Sequence, residues 1–191
     1  KQVQQEAASA HSAEITQIQT LRRVLENANN GIRERRKALV QLQGIVPQYH
    51  ATLTTEGRLI NNNTSALDAY INNLKKAAIA QAALNKMAGL NSSLMETSLL
   101  KGQREGNQSF VLKKLASYGF DPRTQEYGNY ISGGGFVRDK QSGTFLRHIT
   151  DEQLDGINRW MKAYNYNLKK IQEYTNAAEA INTKIDDIQD Y

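Results

Sequence analysis

The sequence contains no cysteine, only two prolines and few aromatic residues, which make up 7% of the chain. The lack of cysteine excludes disulfides, thiolate metal ligands and a cysteine nucleophile. The scarcity of proline, together with abundant Ala, Leu, Asn and Gln, favours long amphipathic helices over a sheet-based enzyme core. We therefore expect a mainly α-helical chain, which at 191 residues is long enough for one sizeable domain or two small ones.

Long apolar runs are also missing, and none approaches the roughly 20 residues that a membrane-spanning helix needs. The chain begins at Lys1 without a targeting segment, and we expect it to be a fragment of a longer protein. The net charge is +5, but cations and anions alternate, and the one tight basic cluster is RERRK, Arg33 to Lys37. Such a cluster is typical of a solvated helix face, and no stacking aromatics accompany it, so nucleic-acid binding is disfavoured.

Apolar residues recur every seven positions in the N-terminal third. They are Ile18, Leu25, Ile32, Leu39 and Val46, with Leu21, Ala28 and Leu42 at companion positions. Residues at this spacing form one stripe on a helix and need a partner helix to cover it. Arg35 occupies a companion position and should weaken the stripe. The sequence NANNG, Asn27 to Gly31, predicts a break with Gly31 as a left-handed cap, between helices at about 3–29 and 32–45.

Proline and glycine mark the end of the second helix. Gly44 and Pro47 should stop it, because proline lacks the backbone donor and clashes with the preceding turn. The polar residues up to Asn63 predict a loop. A helix should then resume at about residue 64, where Ser65 and Asp68 have the spacing of a capping box.

Several glycines lie in the middle of the chain. The resumed helix should run to about residue 100 and be followed by a flexible connection and a short helix at about 108–118. We predict that this short helix ends at Gly119 in the left-handed conformation, with Phe120 folded back on Leu115.

Residues 119–149 predict a loop and a small β-hairpin. The β-prone runs Tyr130–Ile131 and Phe136–Val137 precede the turn sequence DKQSG, and the run from Thr144 to Ile149 follows it. This hairpin, within Tyr127 to Ile149, is the only β-like part of the sequence.

The last predicted helix occupies residues 150–191. Thr150 and Gln153 form a capping box, and Ile149 and Leu154 are placed as a hydrophobic staple. A second seven-residue stripe comprises Ile157, Tyr164, Ile171, Ala178 and Ile185. The predicted fold is mainly α, with a helical region over 1–118. Its long amphipathic helices pack as antiparallel helical hairpins or a coiled coil, and the hairpin is inserted between them.

Residues that could carry chemistry are scattered. His11, His50 and His148 lack the spacing of metal ligands. The glycines of SGGGF, Ser132 to Phe136, lack the GK[ST] ending of a phosphate loop and predict a bent hairpin arm. We therefore predict no metal, cofactor or small-molecule substrate.

Acidic and aromatic residues gather in the last helix. Asp151, Glu152 and Asp155 are explained by the positive end of the helix dipole, although paired carboxylates also serve glycosidases. Trp160 and Tyr174 lie near one face together with Tyr164. The ordinary interpretation of these aromatics is a helix–helix core, and the alternative is a surface that binds a partner.

The segment from about Ala38 to Ala83 resembles a helical unit of bacteriophage and prophage tail tape-measure proteins. The likeness rests on LQGIVPQYHA, on the turn LTTEG and on NTSALDAYINNL, which leads into an alanine-rich helix. The resemblance implies a long, largely helical, non-enzymatic protein that occupies the tail tube during assembly in the host cytoplasm and sets tail length. Its implied partners are copies of itself and other tail proteins.

Two apolar stripes are the surfaces we expect to mediate helix packing or self-association. They are represented by Ile18, Leu25, Ile32 and Leu39, and by Ile157, Tyr164, Ile171 and Ile185. The alternative function is a coiled-coil partner-binding module of a bacterial surface or secretion protein, which would use the face of Trp160 and Tyr174. Third comes a cell-wall hydrolase with acidic residues near the hairpin, and fourth a nucleic-acid-binding protein.

Overall fold

The computed structural model describes residues 11–189, and it is 68% helix. The elements in chain order are helices α1 (Ser12–Glu26) and α2 (Ile32–Ile45), strands β1 (Thr52–Leu53) and β2 (Leu59–Ile60), helix α3 (Thr64–Ser117), strands β3 (Gln125–Asn129), β4 (Gly135–Asp139) and β5 (Phe145–Ile149), and helix α4 (Asp151–Gln189). The mainly α character is therefore confirmed. The predicted helical residues before His11 and the last two residues of the chain lie outside the described range.

The chain forms two compact units, Lys1–Ala88 and Gly89–Tyr191. Helix α3 contributes residues to both units. Across the described residues, no helix combines the length and the apolar character that crossing a bilayer requires.

The first unit is built around α1, α2 and the beginning of α3. Its core comprises Ile18, Leu25, Ala38, Leu39, Leu42, Val46, Tyr49, Ala51, Leu53, Leu67 and Ile71. The break between α1 and α2 lies at the predicted position, but Gly31 has a φ of −58° and stands at the start of α2. It is not a left-handed cap of α1, because α1 ends one turn earlier with Asn27 in extended conformation.

The predicted loop after α2 contains a short hairpin that was not predicted from the sequence. Strands β1 and β2 pair antiparallel, with Thr52 opposite Ile60 and Leu53 opposite Leu59. Gly57 in the connecting turn has a φ of +81°, a conformation that favours glycine. Helix α3 begins at Thr64, as predicted, but the Ser65 hydroxyl donates to the Asn63 side chain, and the expected capping box with Asp68 is absent among the hydrogen bonds of the described residues.

Helix α3 is one continuous helix of 54 residues, so the predicted flexible connection between two helices is wrong. Gly102 and Gly106 lie inside it without breaking it, because an isolated glycine costs a helix only about 1 kcal/mol. Its end is as predicted. Gly119 has a φ of +69°, its N–H donates to the Ala116 carbonyl, and the Phe120 N–H donates to the Leu115 carbonyl at 3.1 Å.

The second unit carries a three-stranded antiparallel sheet in the order β3-β4-β5. The predicted hairpin around DKQSG is formed by β4 and β5, with a bulge between Val137 and Arg138. The sheet has a third strand, β3, which lies nearer the N-terminus than the predicted run at Tyr130–Ile131.

Helix α4 starts with the predicted capping box. The Thr150 N–H donates to Gln153 Oε1 at 3.0 Å, and the Gln153 N–H donates to Thr150 Oγ1 at 3.2 Å. Ile149 and Leu154 belong to one apolar cluster, as the predicted staple requires. The buried members of this core are Val111, Leu115, Phe120, Val137, Ile149 and Ile157.

Candidate functional sites on the helices and the sheet

The first predicted stripe lies mainly in the interior of the first unit. Ile18 and Leu25 are fully buried and Leu39 is nearly so, whereas Ile32 is 40% exposed at the start of α2. These buried side chains pack against residues of the same chain. They could therefore contact a second copy only if the first unit opened.

Arg35 is buried at 6% exposure although it was expected to weaken the stripe. Its Nε donates to the Leu25 carbonyl and its Nη1 to the Gly57 carbonyl, both at 2.7 Å. The guanidinium thereby ties the end of α1 and the β1–β2 turn to α2. Hydrogen bonds from a charged donor are stronger than neutral ones, so Arg35 stabilises the packing of α1 and the β1–β2 turn against α2. The sequence pattern gave no sign of these two carbonyls, because they are 10 and 22 residues away.

The second predicted stripe is buried to different degrees along α4. Ile157 is fully buried and Ile185 is buried, whereas Tyr164 and Ile171 are half-buried. The described contacts of Tyr164 are with the core of the second unit.

The expected partner face of α4 is only partly open. Trp160 and Tyr174 are both half-buried. The Trp160 ring lies edge-on to Phe110 of α3, with 5.8 Å between the ring centroids and 74° between the planes. Six residues further along α4, the Tyr166 ring lies 5.3 Å from the Arg104 guanidinium. Trp160 therefore serves helix packing within the unit.

Two buried polar side chains of the second unit were not predicted. Gln108 of α3 is 8% exposed and Asn167 of α4 is 5% exposed. Neither Nε2 nor Oε1 of Gln108 makes a hydrogen bond with another described residue. A buried amide without a hydrogen-bond partner lowers the free energy of unfolding, so Gln108 should destabilise the interior of the second unit.

The glycine-rich loop between β3 and β4 contacts a carboxylate of the chain itself. The Gly134 N–H donates to Asp151 Oδ1 at 2.6 Å, and Gly133 and Gly134 both have positive φ. Asp151 therefore fastens the loop to the first turn of α4. The neighbouring acids Glu152 and Asp155 are exposed.

Aromatic side chains form a row on the outer face of the sheet. The Tyr130 ring lies 5.5 Å from Phe136 and 5.6 Å from His148, and the His148 ring lies 4.7 Å from Phe145. Tyr130 Oη and His148 Nδ1 are 2.9 Å apart, and the Arg138 guanidinium stacks 4.4 Å from the centre of the Phe136 ring. These contacts stiffen a surface that the core does not cover. Sequence reasoning missed the row because its members come together only in the observed strand register.

The titratable groups with shifted pKa values are dispersed. Burial raises the pKa of Tyr49 and of Tyr127. The hydrogen bond from Arg123 lowers the pKa of Asp121, and the backbone N–H of Ser142 lowers that of Asp139. Each shift has a local structural cause.

The histidines are also apart from one another. His11 lies 3.8 Å from Glu14, His50 is exposed, and His148 belongs to the aromatic row. Within residues 11–189, no group of three or more His, Asp or Glu side chains is placed to hold a metal ion.

The chain was compared with protein-family models, with curated proteins and with solved structures, and none of the three comparisons gave a match.

Proposed function

We propose that this chain is a non-enzymatic helical segment of a phage tail tape-measure protein, which contributes to tail length and tail assembly through helical packing. The observation that carries the proposal is the 54-residue helix α3. At 1.5 Å per residue it is about 80 Å long, and α4, with 39 residues, is about 60 Å long. Nearly half of the chain therefore lies in two helices that are far longer than the average of globular proteins.

The resemblance to tape-measure proteins adds independent support. The segment that carries it, about Ala38 to Ala83, includes the end of α2, the β1–β2 hairpin and the first turns of α3. The proposed site of action is the virion tail, with the host cytoplasm as the place of assembly. The proposed partners are further copies of the chain and other tail proteins.

We further propose that α3 and α4 pack antiparallel within the second unit, in the manner of a coiled coil. Three contacts support this arrangement, because they occur in opposite order along the two helices. Phe110 meets Trp160 and Arg104 meets Tyr166. Tyr118, just after α3, lies so close to Gly156 that a methyl group there would clash with its ring.

The antiparallel arrangement allows a length change that preserves the packing. Residues 90–103 of α3 and 167–180 of α4 are then opposite each other, and each segment contains two heptads. Removing both should shorten the folded helical hairpin by about 21 Å, whereas an extended state with the two helices end to end would lose about 42 Å. Duplicating both segments should lengthen it by the same amount.

The experiment is to introduce both changes into a phage or prophage that carries this segment and to measure tail lengths by electron microscopy. Shorter tails after deletion and longer tails after duplication support the proposal, and the increment distinguishes the folded from the extended state. The duplication serves as the control, since a general assembly defect does not lengthen tails. Unchanged tails of normal infectivity would refute the proposal. Unchanged tails with lost infectivity would favour the partner-binding module.

A further inference from the structure

Helix α3 carries a further apolar stripe on its exposed side, distinct from the two predicted stripes. Met95, Leu99, Gly102 and Gly106 follow one another at intervals of four, three and four residues, which places them within one narrow face of a helix. All four are exposed, Met95 at 75% and Leu99 at 64%. We call these four residues the outer stripe of α3.

The outer stripe points away from the side of α3 that packs within its own unit. In the same stretch, the half-buried residues are Leu94, Thr97, Lys101 and Arg104. At about 100° per residue these lie on the opposite side of the helix. The outer stripe is therefore a face of its own, separate from the packing within the unit.

The two glycines have no explanation within the described chain. Both lie inside a regular helix, where glycine is unfavourable relative to alanine. A methyl group built on either of them would meet no described atom within 4 Å. An exposed helix face that contains two glycines and two large apolar side chains has the composition of a close helix–helix contact.

The order of the residues in the outer stripe is self-complementary. About the midpoint between Leu100 and Lys101, Met95 is as far away as Gly106, and Leu99 is as far away as Gly102. In an antiparallel pair of identical helices, each large side chain would therefore lie over a glycine of the other copy. This is the size matching that a two-fold symmetric contact requires.

The charges beside the outer stripe do not oppose this pairing. On one flank, the charge of Glu105 is offset by Lys101, which lies 3.9 Å away toward the side of the helix that packs within the unit. On the other flank, Glu96 would face Gln103 of the second copy, whose amide can donate to it.

From these observations we infer that the outer stripe of α3 binds the same stripe of a second copy in an antiparallel, two-fold symmetric contact. The contact extends about 17 Å along the helix, from Met95 to Gly106. Two helices in contact over this length bury less surface than the ~800 Å² per partner of a standard interface. The dimer should therefore be weak and dependent on concentration. The inference goes beyond the proposed function, which needs no contact between copies through this face.

The absence of cysteine makes thiol cross-linking a direct test of the orientation. Two single variants of the full chain are needed, Met95→Cys and Gly106→Cys. When the two variants are mixed and oxidised, the antiparallel contact should yield the mixed disulfide dimer, and each variant alone should yield little. Because the two positions are exposed, both variants should keep the wild-type circular dichroism spectrum, which is to be verified first.

A second measurement tests the glycines. By sedimentation equilibrium, Gly106→Leu should raise the dimer Kd at least about tenfold, because the added side chain blocks the approach of Met95. The matched control is Gly89→Leu, which lies in the same helix with equally open surroundings but off the outer stripe. Cross-linking of Met95→Cys with itself would indicate a parallel pair and overturn the inference. So would a monomer at all concentrations, and so would equal effects of the two leucine variants. None of these outcomes bears on tail length, which tests the proposed function separately.

Discussion

Gln108 allows the energetics of the second unit to be tested with one substitution. Its amide is buried without a hydrogen-bond partner among the described residues. Leaving a buried polar group unpaired costs about 1–3 kcal/mol. Methionine is unbranched and of similar length, so Gln108→Met replaces the amide by an apolar group that adapts to the same space. We expect Gln108→Met to raise the free energy of unfolding of this unit by about 1–3 kcal/mol.

Trp160 provides the measurement. It is the single tryptophan of the chain, and its ring contacts Phe110 of α3, two residues after Gln108. Its fluorescence in urea therefore follows the unfolding of the second unit. With a denaturant slope of about 1–3 kcal/mol/M, the expected stabilisation moves the midpoint by roughly 1 M.

The matched control is Gln103→Met, on an exposed position of the same helix. At protein concentrations low enough to keep the chain monomeric, it should change the free energy of unfolding by less than about 0.5 kcal/mol. A lower midpoint for Gln108→Met, with Gln103→Met unchanged, would refute the reasoning, because it would mean that the Gln108 amide is hydrogen-bonded in solution. Gln108→Ala also removes the amide but leaves a cavity, and should be about 2 kcal/mol less stable than Gln108→Met.

Three further outcomes are expected. Arg35→Met should destabilise the first unit by about 2 kcal/mol in urea unfolding followed by circular dichroism, because two backbone carbonyls lose their charged donor, whereas the exposed neighbour Arg36→Met should have little effect. Gly119→Ala should lower the melting temperature, since alanine at a φ of +69° costs about 1 kcal/mol and its methyl group would lie 3.0 Å from Arg147 Nη2. The Asp139 carboxylate accepts hydrogen bonds from the N–H groups of the β4–β5 turn, and its pKa is lowered from 3.8. Its contribution to stability is therefore present above pH 3.8 and lost as the pH falls through the lower folded pKa. This loss is visible as movement of the turn's amide resonances in NMR, and Asp139→Asn should abolish that pH dependence.

Helix ends were predictable where both partners of a contact lie within a few residues. The capping box of Thr150 and Gln153 is one such case, and the fold-back of Phe120 on Leu115 is another. In both, the hydrogen bonds join groups at most five residues apart, so the local sequence determines them.

Features that depend on distant residues were not predictable. The burial of Arg35 depends on two carbonyls that the fold brings to it. The third strand, β3, consists of QEYGN, which has low β propensity apart from its tyrosine and forms a strand because it pairs with β4. The aromatic row on the sheet likewise required the observed register, in which Phe136 lies opposite His148.

The continuity of α3 shows how local and tertiary effects divide along one helix. Its first turns are buried through Leu67 and Ile71 in the core of the first unit, and its last turns through Val111 and Leu115 in the core of the second. From residue 83 to residue 107 no side chain is fully buried, so most of the helical stability there comes from local interactions and from good helix formers such as Leu, Met, Lys and Gln. Glycine destabilises such a stretch most, because no core packing compensates for its low helix propensity. The local sequence therefore predicts a break where glycines accumulate, whereas the helix continues through them with two of its glycines and two apolar residues aligned on one exposed face. In the proposed tail segment, this middle stretch is where heptads can be added or removed with the least effect on the two cores, and where contact with another helix would add the most stability.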